Sequence, residues 1–185
     1  MGLAVRKEER YTYQDYIAWP DEERWEIIDG EVYDMSPAPR VKHQNIASNF
    51  HIKLKTATKN TCYTGIAPTD VVFDEYNIVQ PDVFVVCDKN KITEANIQGA
   101  PDLIIEVISP TTGLKDKREK KALYERFGVS EYILVYPEGE YIERFHLDQG
   151  NYNKGEIFNW DEEVELYSVR LKVRLAEIFE KEKEN

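Results

Sequence analysis

One carboxylate in this chain stands where packing alone does not explain it. Glu106 lies in the run Leu103-Ile104-Ile105-Glu106-Val107-Ile108, whose other five residues are large and apolar, four of them β-branched. Such a run predicts a strand buried on both faces, in the middle of a sheet. An unpaired charge there costs on the order of several kcal/mol even after relaxation. A metal ion, a lysine or an arginine must compensate it, which makes Glu106 a site candidate. Asp82 is the second such acid, in Val79-Gln80-Pro81-Asp82-Val83-Phe84-Val85-Val86. Pro81 interrupts pairing and suggests a sheet edge or the mouth of a site, although a plain strand start would also put an acid there. Two acids on adjacent buried strands repel each other. A hard cation such as Mg²⁺ relieves that by taking carboxylate oxygens together with waters and substrate phosphates.

The third group comes from the helix predicted over residues 114–127. On its wheel Leu123 and Phe127 point one way, and Asp116 and Lys120 fall on the same face, while Lys121 points away and Tyr124 sits at the edge. The inward stripe therefore begins polar, just after the strand that carries Glu106. Lys120 can reach the Glu106 carboxylate, either as a structural ion pair with Glu106 or Asp116 or as part of a site. Two carboxylates and a lysine suit phosphodiester hydrolysis. The metal activates water, and the lysine orients it or stabilises developing charge.

Other elements must hold these residues in place. Thr12 caps a short helix that stops at Pro20. Trp25–Ile28 and Glu31–Met35 form a hairpin across Asp29-Gly30. Ser36-Pro37-Ala38-Pro39 reads as a loop, and a helix runs from about Lys42 to Lys59 on Ile46, Phe50 and Leu54. Strands follow near residues 61–66, 70–74 and 78–86, then a polar loop over 88–100. After Glu106, Ser109-Pro110-Thr111-Thr112 offers a turn and N-caps. A second hairpin spans 131–147, two or three strands fill 151–173, and a terminal helix covers roughly Leu175–Lys183. The order predicts an α/β or α+β domain with a mixed sheet, as one unit over residues 1–185.

Composition narrows the classes. The chain has 185 residues, 42% hydrophobic and 32% charged, enough for a sizeable core. No apolar run is long enough to span a membrane. The first seven residues lack the apolar stretch of a signal peptide, so a cytoplasmic chain with Cys62 and Cys87 as free thiols is expected. The net charge of −11 argues against non-specific nucleic-acid binding. Yet Lys115, Lys117, Arg118, Lys120, Lys121 and Arg126 gather within one short stretch, and a local basic face is compatible with an acidic whole.

These residues resemble the PD-(D/E)XK nuclease superfamily, and within it the Uma-two family of restriction-endonuclease-like proteins. The matching stretches are residues 25–33, Val79-Gln80-Pro81-Asp82-Val83, residues 100–110, Asp116 to Lys120 with Tyr124, and Gly128-Val129-Ser130-Glu131-Tyr132, in order over nearly the whole chain. The resemblance implies a restriction-endonuclease-like αβα sandwich around a mixed β-sheet, with extra β-hairpins. It implies Asp82 and Glu106 as metal ligands, with the Val107 carbonyl, for Mg²⁺ or Mn²⁺. The superfamily's usual lysine, two residues after the acid, is Ile108 here. The resemblance implies a migrated lysine, Lys120, which the helical wheel reaches independently, and Lys117 competes for the role.

Several residues are auxiliary candidates. Glu31 follows the hairpin glycine and matches a family acid that would join the metal. His43 and Gln44 open the long helix, within reach of a phosphate or water. Asp102 lies two steps back on the face of Glu106, and Tyr124 flanks the helical lysine. The reading is a metal-dependent endonuclease acting on DNA, cytoplasmic, with no membrane partner and a homodimer as the candidate assembly. Two rivals remain. One is a non-catalytic protein of the same fold that uses the acidic cleft for binding, and the other a phosphodiesterase acting on RNA or small nucleotides. A basic rim around the cleft would favour a nuclease over the first.

Overall fold

A computed structural model describes residues 10–20, 24–35, 38–109 and 113–182. The loop residues Ser36 and Pro37 and the caps Thr111 and Thr112 lie outside that range, as do the first nine residues. In chain order come α1 (Tyr13–Tyr16), β1 (Trp25–Ile28), β2 (Glu31–Asp34), α2 (Val41–Ala57), β3 (Tyr63–Ile66), β4 (Val71–Asp74), β5 (Asn77–Val79), β6 (Val83–Val86), β7 (Ile97–Gln98) and β8 (Leu103–Val107). Then follow α3 (Gly113–Lys115), a π turn (Asp116–Lys120), α4 (Lys121–Phe127), β9 (Glu131–Tyr136), β10 (Tyr141–Asp148), β11 (Asn151–Tyr152), β12 (Glu156–Asn159), β13 (Glu163–Leu166), β14 (Leu171–Arg174) and α5 (Leu175–Ile178).

The main sheet runs β11-β10-β9-β8-β6-β3, with β12 also paired to β10. It is mixed: β8 and β9 are parallel, and β6 lies antiparallel to β8. Its central strand β8 is buried along its whole length, as the apolar run predicts. Side chains alternate between two cores. Leu103, Ile105 and Val107 pack with Phe50 and Leu54 of α2, together with β13, β14 and α5. Ile104 packs with Leu123 and Tyr124 of α4 on the other face, where Val71, Phe73 and Val79 of the second sheet join them. That second sheet, β2-β1-β5-β4-β7, carries the Asp29-Gly30 hairpin, whose two turn residues both have positive φ. The result is a helix–sheet–helix sandwich with added hairpins.

Several boundaries differ from the sequence expectation, each for a local reason. The strand expected over 78–86 is two strands in two sheets, and the chain crosses between them at Pro81. Pro81 therefore marks a switch of sheets rather than an edge, since β6 is flanked by β3 and β8. The polar stretch 88–100 contains a 3-10 turn at Lys89–Lys91 and the short strand β7. The terminal helix stops at Ile178, just ahead of Glu180 in the left-handed region at φ 55°. Cys62 and Cys87 are joined in a disulfide rather than free. The antiparallel register that pairs Tyr63 with Val86 brings the flanking cysteines face to face, although 25 residues separate them in sequence.

Candidate active site

Register places the two acids together. Val83 of β6 opposes Ile105 of β8, so Asp82, one residue earlier, arrives opposite Glu106. The Asp82 N–H lies 3.4 Å from Glu106 Oε2, and the Val107 N–H donates to Asp82 Oδ2 at 2.8 Å. Glu106 is 3% exposed, so its charge is answered inside the protein. Lys120 Nζ donates to Glu106 Oε1 at 2.8 Å, and the Tyr124 hydroxyl donates to the same oxygen at 2.8 Å. That leaves Oε2 facing Asp82.

The helix that delivers Lys120 is not uniformly α. Residues Asp116–Lys120 make a π turn, the kind of insertion that re-aims side chains at functional sites. Asp116 and Lys120 both remain inward and buried, while Lys117 and Arg118 are exposed. Lys117 lies over the Tyr136 ring, 4.6 Å from its centroid, and does not compete for Glu106. Tyr124 is fully buried rather than at an edge. Lys121 is half-buried against Phe145, and Arg126 pairs with Asp29, so the basic stretch divides between the interior and the surface.

One central residue escaped the sequence reading. Glu26 of β1 is completely buried. It accepts from Lys115 at 2.5 Å, from Lys120 at 2.8 Å and from the Gln80 N–H at 2.9 Å. Strand Trp25–Ile28 reads as an ordinary amphipathic hairpin arm, which hid it. Its partner Lys115 stands five residues before Lys120, off the face that an α-helical wheel gives Lys120, so no local pattern pointed to it. Glu31, the hairpin acid singled out instead, is exposed at the turn end and accepts from the Tyr33 hydroxyl. It does not join the site. Asp102 is also elsewhere: its carboxylate accepts the Cys87 N–H at 2.7 Å and fixes the start of β8.

The charges set one another's protonation. Burial pushes the Glu106 carboxyl up, Lys120 pulls it down, and the negative charges of Asp82, Asp116 and Glu26 raise it again, to about 8. Burial also pushes Glu26 up, but Lys120 and Lys115 outweigh it and hold the carboxyl below the ordinary range. Lys120 loses from burial and gains more from Glu106, Glu26 and Asp116, so it stays charged. Burial and then the Glu106 charge keep the Tyr124 hydroxyl protonated, as a donor.

His43 Nε2 lies 3.1 Å from Asp82 Oδ2. Burial alone would lower its pKa, but the Asp82 hydrogen bond and charge raise it. Its buried Nδ1 has no hydrogen-bond partner among the described residues. Gln44 lines the same cleft from the exposed face of α2. The cleft encloses about 340 Å³ and contains Asp82, Glu106, Asp116 and Lys120. Arg24, Arg40 and Lys115 line it too, so the surroundings of the acids are cationic in a chain of net charge −11. Among the described residues, no three or more His, Cys, Asp or Glu side chains gather as a metal cage. Two close carboxylates, with Glu106 Oε2 held only by a long 3.4 Å contact from the Asp82 N–H and Asp82 bound through Oδ2, nonetheless suit a hard cation that keeps several waters and shares a phosphate oxygen.

Residues 13–176 match the family Uma2, described as "Putative restriction endonuclease". The uncharacterized protein slr1290 of Synechocystis sp. is 26% identical, over 90% of this chain and 90% of its own. In three dimensions the chain is similar to a crystal structure described as "a putative nuclease belonging to DUF820", from Anabaena variabilis. The TM-score is 0.76 at 20% identity, covering 91% of this chain and 97% of the other. That likeness shows a shared fold.

Proposed function

The chain belongs to the Uma2 family, and from that premise we propose that it is a metal-dependent endonuclease hydrolysing DNA phosphodiester bonds in the Asp82–Glu106–Lys120 cleft. The observation that carries this reading is the Lys120 ammonium held 2.8 Å from Glu106, in a cleft that also presents Asp82. Asp82 and Glu106, with the Val107 carbonyl, would hold Mg²⁺ or Mn²⁺. Such an ion, when bound, makes water a stronger acid and draws charge from the phosphate.

The protein groups have separate tasks. Tyr124 and Lys120 both grip Glu106 Oε1 and fix the carboxylate with Oε2 toward Asp82. The Val107 N–H and His43 do the same for Asp82 through Oδ2. An ammonium has three donors. Lys120 gives two to Glu26 and Glu106, while Asp116 Oδ1, at 3.8 Å, lies beyond hydrogen-bond reach. Among the described residues nothing else takes the third donor, which would serve the attacking water or a phosphate oxygen and steady developing charge. Glu26 is a positioning residue: it anchors Lys120 and Lys115 from below. Arg24, Arg40 and Lys115 offer the entering phosphates the basic surroundings that a non-catalytic acidic cleft would not need.

The test is cleavage of supercoiled plasmid with Mg²⁺ or Mn²⁺ by the wild type and by Asp82→Ala, Glu106→Ala and Lys120→Ala. Nicking by the wild type and its loss in each folded variant support the reading. Full cleavage by all three variants sinks it. Parallel assays on RNA and on small nucleotide diesters separate those substrates from DNA.

A further inference from the structure

A second cavity opens beside the cleft and takes no part in the chemistry above. It encloses about 340 Å³, at the lower end of the roughly 300–1,000 Å³ of small-ligand sites. Its walls are apolar: Ile108 from the end of β8, Pro137 from the β9–β10 turn, and Tyr136 with Tyr141 from the strands on either side. The two tyrosine rings stack at 4.4 Å and 13°. At its edge Arg40 and Lys42, both exposed at the start of α2, supply positive charge, with Lys42 lying 3.7 Å from Glu140, while Glu138 lines the turn side.

Three observations point to one occupant. The first is continuity: Arg40, His43 and Ser109 line both this cavity and the cleft. His43 also touches Asp82 at 3.1 Å, and Ile108 follows Glu106 by two residues, so the cavity lies one side chain from the carboxylates. The second is chemistry: apolar and aromatic walls, with Arg40 where the cavity meets the cleft, fit a flat, hydrophobic group attached to an anionic chain. The third is rigidity. The Tyr136 hydroxyl donates to Glu143 Oε2 at 3.0 Å and Lys117 lies over its ring, so that ring is fixed before anything binds. Gly139 in the turn leaves room for Tyr141, because a Cβ there would lie 2.5 Å from the ring's Cε1 and 2.7 Å from Cδ1.

We propose that this cavity receives a nucleobase of the DNA strand, unstacked from its neighbours beside the phosphate to be cut. This rests on the endonuclease reading and adds a preference: the substrate has an unpaired or readily extruded base at that position. A regular duplex keeps its bases stacked and would leave the cavity unfilled.

The experiment uses the full chain with Ca²⁺ in place of Mg²⁺ and fluorescein-labelled duplexes of about 20 base pairs. One carries a single bulged adenine, and one the same bulge with an abasic nucleotide. Stacking a base on an aromatic wall corresponds to roughly 5- to 150-fold in affinity. The wild type is therefore expected to bind the adenine bulge at least about fivefold more tightly than the abasic one. Tyr141→Ala should erase that preference and Tyr141→Phe should keep it. Gly139→Ala, which displaces the ring without shortening it, should reduce the preference and stands in if Tyr141→Ala does not fold. Equal wild-type affinity for the two bulges, or a preference that survives Tyr141→Ala or Gly139→Ala, overturns the proposal. Plasmid cleavage accompanied by equal affinities sinks the base site alone. Failure to bind or cut any DNA removes the endonuclease reading and this inference with it.

Discussion

Replacing Lys120 with methionine keeps most of the side-chain volume and deletes one buried charge. In the wild type that ammonium lies 2.8 Å from Glu26, 2.8 Å from Glu106 and 3.8 Å from Asp116, and the residue is only 2% exposed. At an effective dielectric of about 20, each 2.8 Å contact is worth roughly 6 kcal/mol before desolvation is subtracted. Removing one partner of a buried ion pair leaves the other uncompensated and costs about 3–5 kcal/mol. For a chain of this size that corresponds to a fall in Tm of about 6–20 °C. The cost depends on pH in a defined direction. Glu106 already holds its proton up to about pH 8, and without Lys120 it holds it more firmly. Below about pH 8 Glu106 is neutral with or without Lys120, so the loss falls on Glu26; above it the wild type gains a Glu106–Lys120 ion pair that the variant lacks, and the loss grows.

Urea denaturation followed by tryptophan fluorescence at pH 6 and pH 8.5 measures this. Lys120→Met should lose about 3 kcal/mol at the lower pH and more at the higher. Adding Glu106→Gln to the same chain should restore part of the loss at pH 8.5, where Glu106 is charged in the wild type, and little at pH 6. A loss below about 1 kcal/mol at both pH values, or one independent of pH, would refute the reasoning, since Lys120 could not then be neutralising buried carboxylates.

Other consequences are independent of that experiment. The folded chain keeps the Glu106 proton up to about pH 8, whereas the unfolded chain releases it near the ordinary value of 4.5. The folded state therefore binds more protons between these limits, and the Glu106 contribution to stability falls as pH rises across them. Glu106→Gln should flatten that part of the metal-free stability–pH curve, and parallel curves would count against the assignment. Glu26→Gln should weaken cleavage through kcat with little change in KM, because Glu26 anchors Lys120 without touching substrate; an unchanged kcat would leave Glu26 with no positioning role. Gly65 pairs with Phe84 across β3 and β6, and a Cβ there would run into the Phe84 ring. Gly65→Ala should cost about 1–3 kcal/mol by overpacking, read as a lowered Tm, and an unchanged Tm would mean that the ring can move.

Much of this was legible in the sequence where a residue type contradicted its surroundings. Glu106 in an apolar run and Asp82 after Pro81 stood out because central strands do not carry unpaired acids. Lys120 was legible because residues four apart share a helical face, and the π turn kept Asp116 and Lys120 on the inner side. Glu26 was hidden because a four-residue strand with one acid looks like any half-exposed hairpin arm. Its burial depends on Lys115, 89 residues later. Glu31 misled for the converse reason: its place after Gly30 fitted a pattern, but the turn end of that hairpin is exposed. The disulfide followed from strand register, which cysteine spacing does not encode.

The central claim is that Asp82 and Glu106 form one cation site oriented by Lys120. Crystals soaked in Mn²⁺ and measured at the manganese absorption edge test it most directly. The account predicts one anomalous peak at the Asp82 and Glu106 carboxylates, absent from Asp82→Asn crystals treated identically. A cleft with no anomalous density, or a peak bound away from both carboxylates, would contradict it.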